Sequence, residues 1–200
     1  MAPAAGHGFV VASANPDKVA EIQQVFGSRY RLHPRPPEVP EVVEDGATLE
    51  ANARLKARAV SAATGRPAVA DDTGLEVDHL DGAPGVHSAR YAGEQAESAD
   101  NVAKLLGALG DVAWPARTAR FRTVAMVCWP DGREVAAEGV CEGHITTEPS
   151  GQGGFGYDPV FEPVERPGHT FAQLGDDKHA ISHRGRAFRA LADSLAMLDD

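Results

Sequence analysis

Apolar residues recur at two different periods along this chain, and the order in which the periods alternate restricts its fold more than any other feature. Phe9 to Ala14 (FVVASA) reads as a short buried strand. Asn15-Pro16 then starts a helix, with Asn as cap and Pro in the first turn, and Val19, Ile22, Val25 and Phe26 form its apolar stripe. His33 to Glu44 holds four prolines and reads as an irregular loop. A second helix is expected from about Thr48 to Ala63, ended by Gly65 with Pro67 beyond. Pro67 to Ala70 is a further short apolar strand, and Val102, Leu105, Leu106 and Leu109 mark a third helix capped by Ser98 and ended by Gly110. Arg120 to Trp129 and Glu134 to Ile145 alternate on either side of Asp131-Gly132, which is the pattern of a long hairpin. Phe188, Leu191, Leu195 and Leu198 close the chain as a helical stripe. Strands interleaved with helices, plus one hairpin, predict an α/β domain built on a mixed β-sheet.

Composition removes several function classes. The 200 residues are 42% hydrophobic, enough to bury a core as a single domain over 1–200, or as one domain with two lobes around a cleft. A formal net charge of -10 argues against nonspecific nucleic-acid binding and against an anionic membrane surface, so phosphate must meet a local cluster of cations or a metal. The two cysteines, Cys128 and Cys141, do not face each other across the expected hairpin, so no disulfide and a reducing cytoplasm are expected. Met1 to Gly8 lacks a basic start followed by an apolar stretch, and no run approaches the ~18 apolar residues of a membrane span. Neither a GxxxxGK[ST] loop nor a GxGxxG turn after a strand is present.

The chemistry gathers in five places. Asp71-Asp72-Thr73-Gly74 follows the strand at Ala70, and two readings stand open: a backbone turn, or paired carboxylates that hold a divalent cation. The strand that leads into Asn15-Pro16 opens a helix N-terminus suited to an anion, with Lys18 in its first turn. Asn52 and Lys56 lie four apart on one helix face, which spacing alone assigns to a solvated surface. Ser150 to Pro159 (SGQGGFGYDP) combines backbone freedom with two aromatic rings and a carboxylate. It is either a tight β-arch with Phe155 and Tyr157 in the core or a loop on which a ring stacks against a base. Lys178 to Gly185 (KHAISHRG) supplies donors before the last helix, which Ser182 can cap. His179 and His183 have zinc spacing but no third ligand, and His183 with Arg184 reads better as a donor pair aimed at carbonyl oxygens. Lysines and Mg2+ to neutralise phosphates, Glu44 and Asp72 to hold metal and orient water, and a ring to stack on a base together fit a nucleoside triphosphate.

These motifs resemble, in order and from Val10 to Leu198, those of the inosine triphosphate pyrophosphatases. The matching segments are SANPDKVAEI at Ser13, EDGATLEANARLKA at Glu44, VADDTGLEVDHLDGAPGVHSARYAG at Val69, GGFGYDPVF at Gly153 and AISHRGRA at Ala180. The resemblance implies an elongated α/β fold of two lobes around a mixed sheet with the active site in the cleft between them, a homodimer, and Mg2+ dependence. It implies hydrolysis of ITP, dITP and XTP between the α and β phosphates, giving the monophosphate and pyrophosphate. It further implies Asp72 as general base, Glu44 and Asp72 as metal ligands, and substrate contacts from Ser13, Ala14, Asn15, Pro16, Asp17, Lys18 and Lys56. Thr73, Phe155, Gly156, Tyr157, Asp158, Lys178, His183 and Arg184 complete that implied substrate set. No nucleic-acid or membrane partner is implied. Where the family often has Thr-Gly-Asn this chain has Ser13-Ala14-Asn15, and Thr73 replaces the usual Ser; neither change removes a functional group. The rival readings are a silent purine-nucleotide-binding module and a triphosphatase of ordinary nucleotides.

Overall fold

The protein is described by a computed structural model over residues 8–40 and 42–199; the reading of the first seven residues as free of a leader lies outside the described residues. Phe9–Val11 forms strand β1, shorter than FVVASA suggested, and Pro16–Phe26 forms helix α1. Leu32–His33 is a two-residue strand β2, missed by the sequence reading because prolines dominate the segment that follows. Leu49–Thr64 is helix α2, with Thr48 as cap and Gly65 at its end as expected. Ala68–Val77 is strand β3, and Pro84–Gly85 is strand β4. Helix α3 spans Ser98–Leu109, but its cap is Glu97 rather than Ser98, with Asp100 reaching back to the Glu97 backbone. Thr118–Cys128 (β5) and Glu134–Ile145 (β6) make the hairpin, and Phe161–Pro163 adds β7. A short helix α4, Lys178–Ile181, precedes the last helix α5, His183–Asp199.

The seven strands form one sheet in the order β2-β1-β3-β5-β6-β7, with β4 paired to β3 off that path. β1 is parallel to both β2 and β3, whereas β3–β4 and β6–β7 are antiparallel, so the sheet is mixed as predicted. The hairpin turn is one residue longer than Asp131-Gly132 alone: Trp129 N–H donates to Arg133 O, and Gly132 N–H donates to Trp129 O. Cys128 and Cys141 are both buried and free. No helix among the described residues is long and apolar enough to cross a membrane.

Backbone proximity divides the chain into two compact units. The first comprises Met1–Asp72, Thr123–Gly139 and His183–Asp200; its core joins Phe9, Ile22, Phe26, Val69, Val127, Phe188 and Leu191. The second comprises Thr73–Arg122 and Val140–Ser182, around Leu75, Leu105, Phe121, Phe161 and Phe171. Each such buried side chain contributes roughly 1.5–3 kcal/mol of transfer free energy. Leu198, placed by its spacing on the apolar stripe of α5, is instead 53% exposed.

The first unit seats α5 against β6 through a missing side chain. A Cβ on Gly139 would stand 2.1 Å from His183 O and 2.4 Å from Ala187 N, both backbone atoms that a rotamer change cannot move. Gly139→Ala is therefore expected to cost about 1–3 kcal/mol, since the start of α5 must shift. A thermal melt that matched the parent protein would contradict this packing.

Candidate active site

Asp71 and Asp72 do not end a strand or make a turn: they lie inside β3. Asp is disfavoured in strands, so local propensity pointed elsewhere, and tertiary partners override it here. Adjacent strand residues point to opposite faces, and that pleat divides the pair. Asp71 meets side chains of α1 and α5, whereas Asp72 meets side chains of α2.

On the α2 face, Lys56 Nζ lies 2.9 Å from Asp72 Oδ1 and 3.1 Å from Glu44 Oε1. Asn52 Nδ2 donates to Asp72 Oδ2 at 3.2 Å, and Asn52 Oδ1 accepts the Gly46 N–H at 2.8 Å. The four-residue spacing thus places Asn52 and Lys56 on a buried face rather than a solvated one. Burial raises the Asp72 pKa, opposed by the Lys56 and Lys18 charges. Burial alone would lower Lys56, but the charges of Asp72, Asp71 and Glu44 outweigh it and raise its pKa. The result is a cation held between two carboxylates, one of which carries an elevated proton affinity.

On the other face, Asp71 Oδ2 accepts from Arg184 Nε and Nη2, each at 3.2 Å, and lies 3.7 Å from Lys18 Nζ. Arg184 Nη1 also donates to Glu21 Oε2. Burial disfavours the Asp71 charge, yet Lys18, Arg184 and Lys56 hold its carboxyl well below the usual carboxylate range. Burial lowers the Lys18 pKa, against the pull of Asp71. Arg184 is 2% exposed, and its guanidinium nitrogens donate to Asp71 and Glu21. His183, which starts α5, is likewise buried.

Upstream, Ser13 and Ala14 form the loop between β1 and α1, and Ser13 Oγ accepts the Asn15 N–H. Asn15 Oδ1 accepts from the N–H groups of Asp17 and Lys18, so the first turn of α1 is capped by its own chain rather than open. Pro16 and Asp17 are exposed beside them. What this terminus offers an anion is the dipole and the Lys18 ammonium, on a side chain that is 21% exposed.

The remaining predicted residues belong to the second unit. The two rings of the glycine-aromatic loop lie in different surroundings. Tyr157 is a core residue whose hydroxyl donates to Ser88 O, while Phe155 is half-buried and lines a cavity of about 590 Å³ with Gly153, Gly154, Gly156 and the apolar face of α3. Asp158 is buried; its Oδ2 accepts the Phe155 N–H at 2.9 Å and the Lys178 ammonium at 2.8 Å. Lys178 Nζ sits 5.2 Å from the Phe155 ring centre. Gly154 is required for this cluster, because a Cβ there would stand 2.0 Å from Asp158 Oδ2 at a φ of +69°. Thr73 follows Asp72 in β3 and is half-buried.

Two residues absent from the sequence-derived site are built into it. Asn52 ties the loop after Glu44 to Asp72, and the i, i+4 spacing with Lys56 was its only signal. Glu21 carries no signal: a glutamate beside Ile22 in an amphipathic helix reads as solvent-facing, but Arg184 draws it inward.

Residues 9–194 match the family model described as the Ham1 family. A dITP/XTP pyrophosphatase of Nitratidesulfovibrio vulgaris is 48% identical over 194 residues, covering 92% of this chain and 94% of that protein. A dITP/XTP pyrophosphatase of Halalkalibacterium halodurans is 43% identical, over 92% of this chain and 96% of its own length. Among solved structures, the Ham1 protein of Staphylococcus aureus superposes with a TM-score of 0.83 at 37% identity, covering 96% of this chain and 99% of that one. A nucleoside-triphosphatase, dITP/XTP pyrophosphatase, of Mycobacterium abscessus gives 0.73 at 46% identity, over 92% and 98%.

Proposed function

We infer, because the chain belongs to the Ham1 family, that it hydrolyses the non-standard purine nucleoside triphosphates dITP, ITP and XTP to the nucleoside monophosphate and pyrophosphate. The observation that carries this reading to particular residues is the Glu44–Lys56–Asp72 cluster, where one buried ammonium is shared by two carboxylates. Water adds to phosphorus, the α–β anhydride bond breaks, and pyrophosphate leaves with the bridging oxygen. Asp72 is the group to accept the proton of that water, and desolvation gives it a higher proton affinity than an exposed aspartate. Lys18 and Lys56 supply positive charge for the phosphates.

The donor set fits Mg2+. Among the described residues no group of three or more His, Cys, Asp or Glu side chains is arranged to hold a metal, so a cation here needs phosphate oxygens and water to complete its shell. Mg2+ binds in that way, through one or two carboxylates plus substrate phosphates. Glu44 and Asp72 would hold it, and when bound it would neutralise charge on the triphosphate. The same donor census argues against the zinc reading of His179 and His183. A homodimer and a cytoplasmic setting belong to this proposal through the family resemblance.

The half-buried Phe155 ring provides the stacking surface, with the Lys178 ammonium beside it as a donor. Hypoxanthine and xanthine present an acceptor oxygen at C6, where adenine presents an amino group. A donor left unpaired costs about 1–3 kcal/mol, so ATP is expected to show a kcat/KM roughly 10- to 100-fold below that of dITP or ITP. A panel of triphosphates with Mg2+, scored for pyrophosphate, tests this. Equal rates on ATP and ITP would remove the donor argument.

A further inference from the structure

Three charged groups sit almost wholly out of water on the Asp71 face of β3: Asp71 at 2% exposed, Arg184 at 2% and Glu21 at 8%. None has a chemical part in the reaction proposed above, and Glu21 has no assigned role of any kind. Their order is informative. The Glu21 carboxylate accepts from Arg184 Nη1; Arg184 Nε and Nη2 reach Asp71 Oδ2; and Asp71 Oδ2 faces Lys18 Nζ. Charges alternate along the series, and only its last member, Lys18, extends a side chain as much as 21% exposed.

The series also closes on itself. Lys18 and Glu21 are three residues apart on α1, so they share one face of that helix, and the path between them runs through α5 and β3. An ammonium on a flexible four-carbon stem is a poor instrument for placing charge unless something fixes it. Here it is fixed by a carboxylate which is itself gripped by two nitrogens of a planar guanidinium, and the guanidinium is anchored to the helix that bears the lysine. Stability is a weak reason for such a network, because well-packed apolar residues of similar volume usually serve a core as well or better. Placement of a charge is a stronger one.

We propose that Glu21, Arg184 and Asp71 are positioning residues that hold the Lys18 ammonium where it receives the phosphate chain of the substrate. This rests on the triphosphate reading of the site. Asp71 differs in role from Asp72 because the pleat turns it toward the chain of charges rather than toward Glu44.

The test is a double-mutant cycle between Glu21→Gln and Lys18→Ala in the full-length protein, read as the affinity for inorganic tripolyphosphate by calorimetry at fixed Mg2+. Glu21→Gln keeps the shape of the side chain and removes its charge. It is expected to weaken tripolyphosphate about tenfold, as loss of a charge-assisted contact does, and to weaken it less than twofold further when Lys18 is already alanine. Arg184→Lys keeps the charge and removes the fork; it is expected to behave likewise, and it carries the test if Glu21→Gln does not fold. The same factor for Glu21→Gln in both backgrounds, or an unchanged affinity in the folded single variant, would overturn the proposal. So would a parent protein that does not bind tripolyphosphate. A parent that binds tripolyphosphate, weakened as stated by the variants, but leaves dITP intact would keep the positioning role and reject the hydrolase reading instead.

Discussion

Asp72→Asn is expected to lower kcat for dITP by about 10²- to 10⁴-fold, the usual contribution of a positioned general base. The amide is nearly isosteric with the carboxylate but cannot take the proton of the attacking water, and it is a weaker oxygen donor to a divalent cation. The fold should survive the change. Lys56 keeps Glu44 as a partner at 3.1 Å, and burial already disfavours the ionised form of Asp72, so an uncharged side chain relieves a desolvation cost. Pyrophosphate release and urea unfolding on the same sample separate chemistry from folding. Turnover at the parent rate would remove Asp72 from the base role, and a lost unfolding transition would show that the residue is structural.

Arg184→Met is expected to cost about 3–5 kcal/mol of stability, the range for breaking a buried ion pair by removing one partner. Methionine fills much of the volume but removes the cation that the Glu21 and Asp71 carboxylates share, leaving Asp71 with Lys18 at 3.7 Å and the more distant charge of Lys56. The same substitution on an exposed arginine such as Arg29, whose partner Asp193 is 68% exposed in its side chain, should move the urea midpoint little, because exposed pairs contribute roughly 0–1 kcal/mol. A midpoint for Arg184→Met within the range of the Arg29 variant would show that the guanidinium is not held as the structure has it.

The sequence was most legible where one local rule decides an element. Asn15-Pro16 capped and opened α1, Thr48 and Gly65 bounded α2, and the alternation around Asp131-Gly132 gave the β5–β6 hairpin. It was least legible where long-range partners overrule propensity. Asp71-Asp72-Thr73-Gly74 has the composition of a turn and forms the middle of β3, because cations from α1, α2 and α5 meet its carboxylates on both faces. Asn52 and Lys56 have the spacing of a solvated face and are buried for the same reason. Glu21 illustrates the limit most clearly: its partner Arg184 lies 163 residues away, and no window around either residue suggests the other.

The two rings of the glycine-aromatic loop show how composition can name a segment without assigning its parts. Tyr157 and Phe155 differ by two positions, yet one hydroxyl is fixed to Ser88 in the core and the other ring faces a cavity. Asp158 similarly turns inward, joining the Phe155 backbone to Lys178.

Phosphorus NMR of dITP incubated with the purified protein and Mg2+ tests the central claim most directly. The three triphosphate resonances are expected to be replaced by those of deoxyinosine monophosphate and inorganic pyrophosphate in equal amounts. Orthophosphate with deoxyinosine diphosphate as the first products, or a triphosphate that persists unchanged, would contradict it.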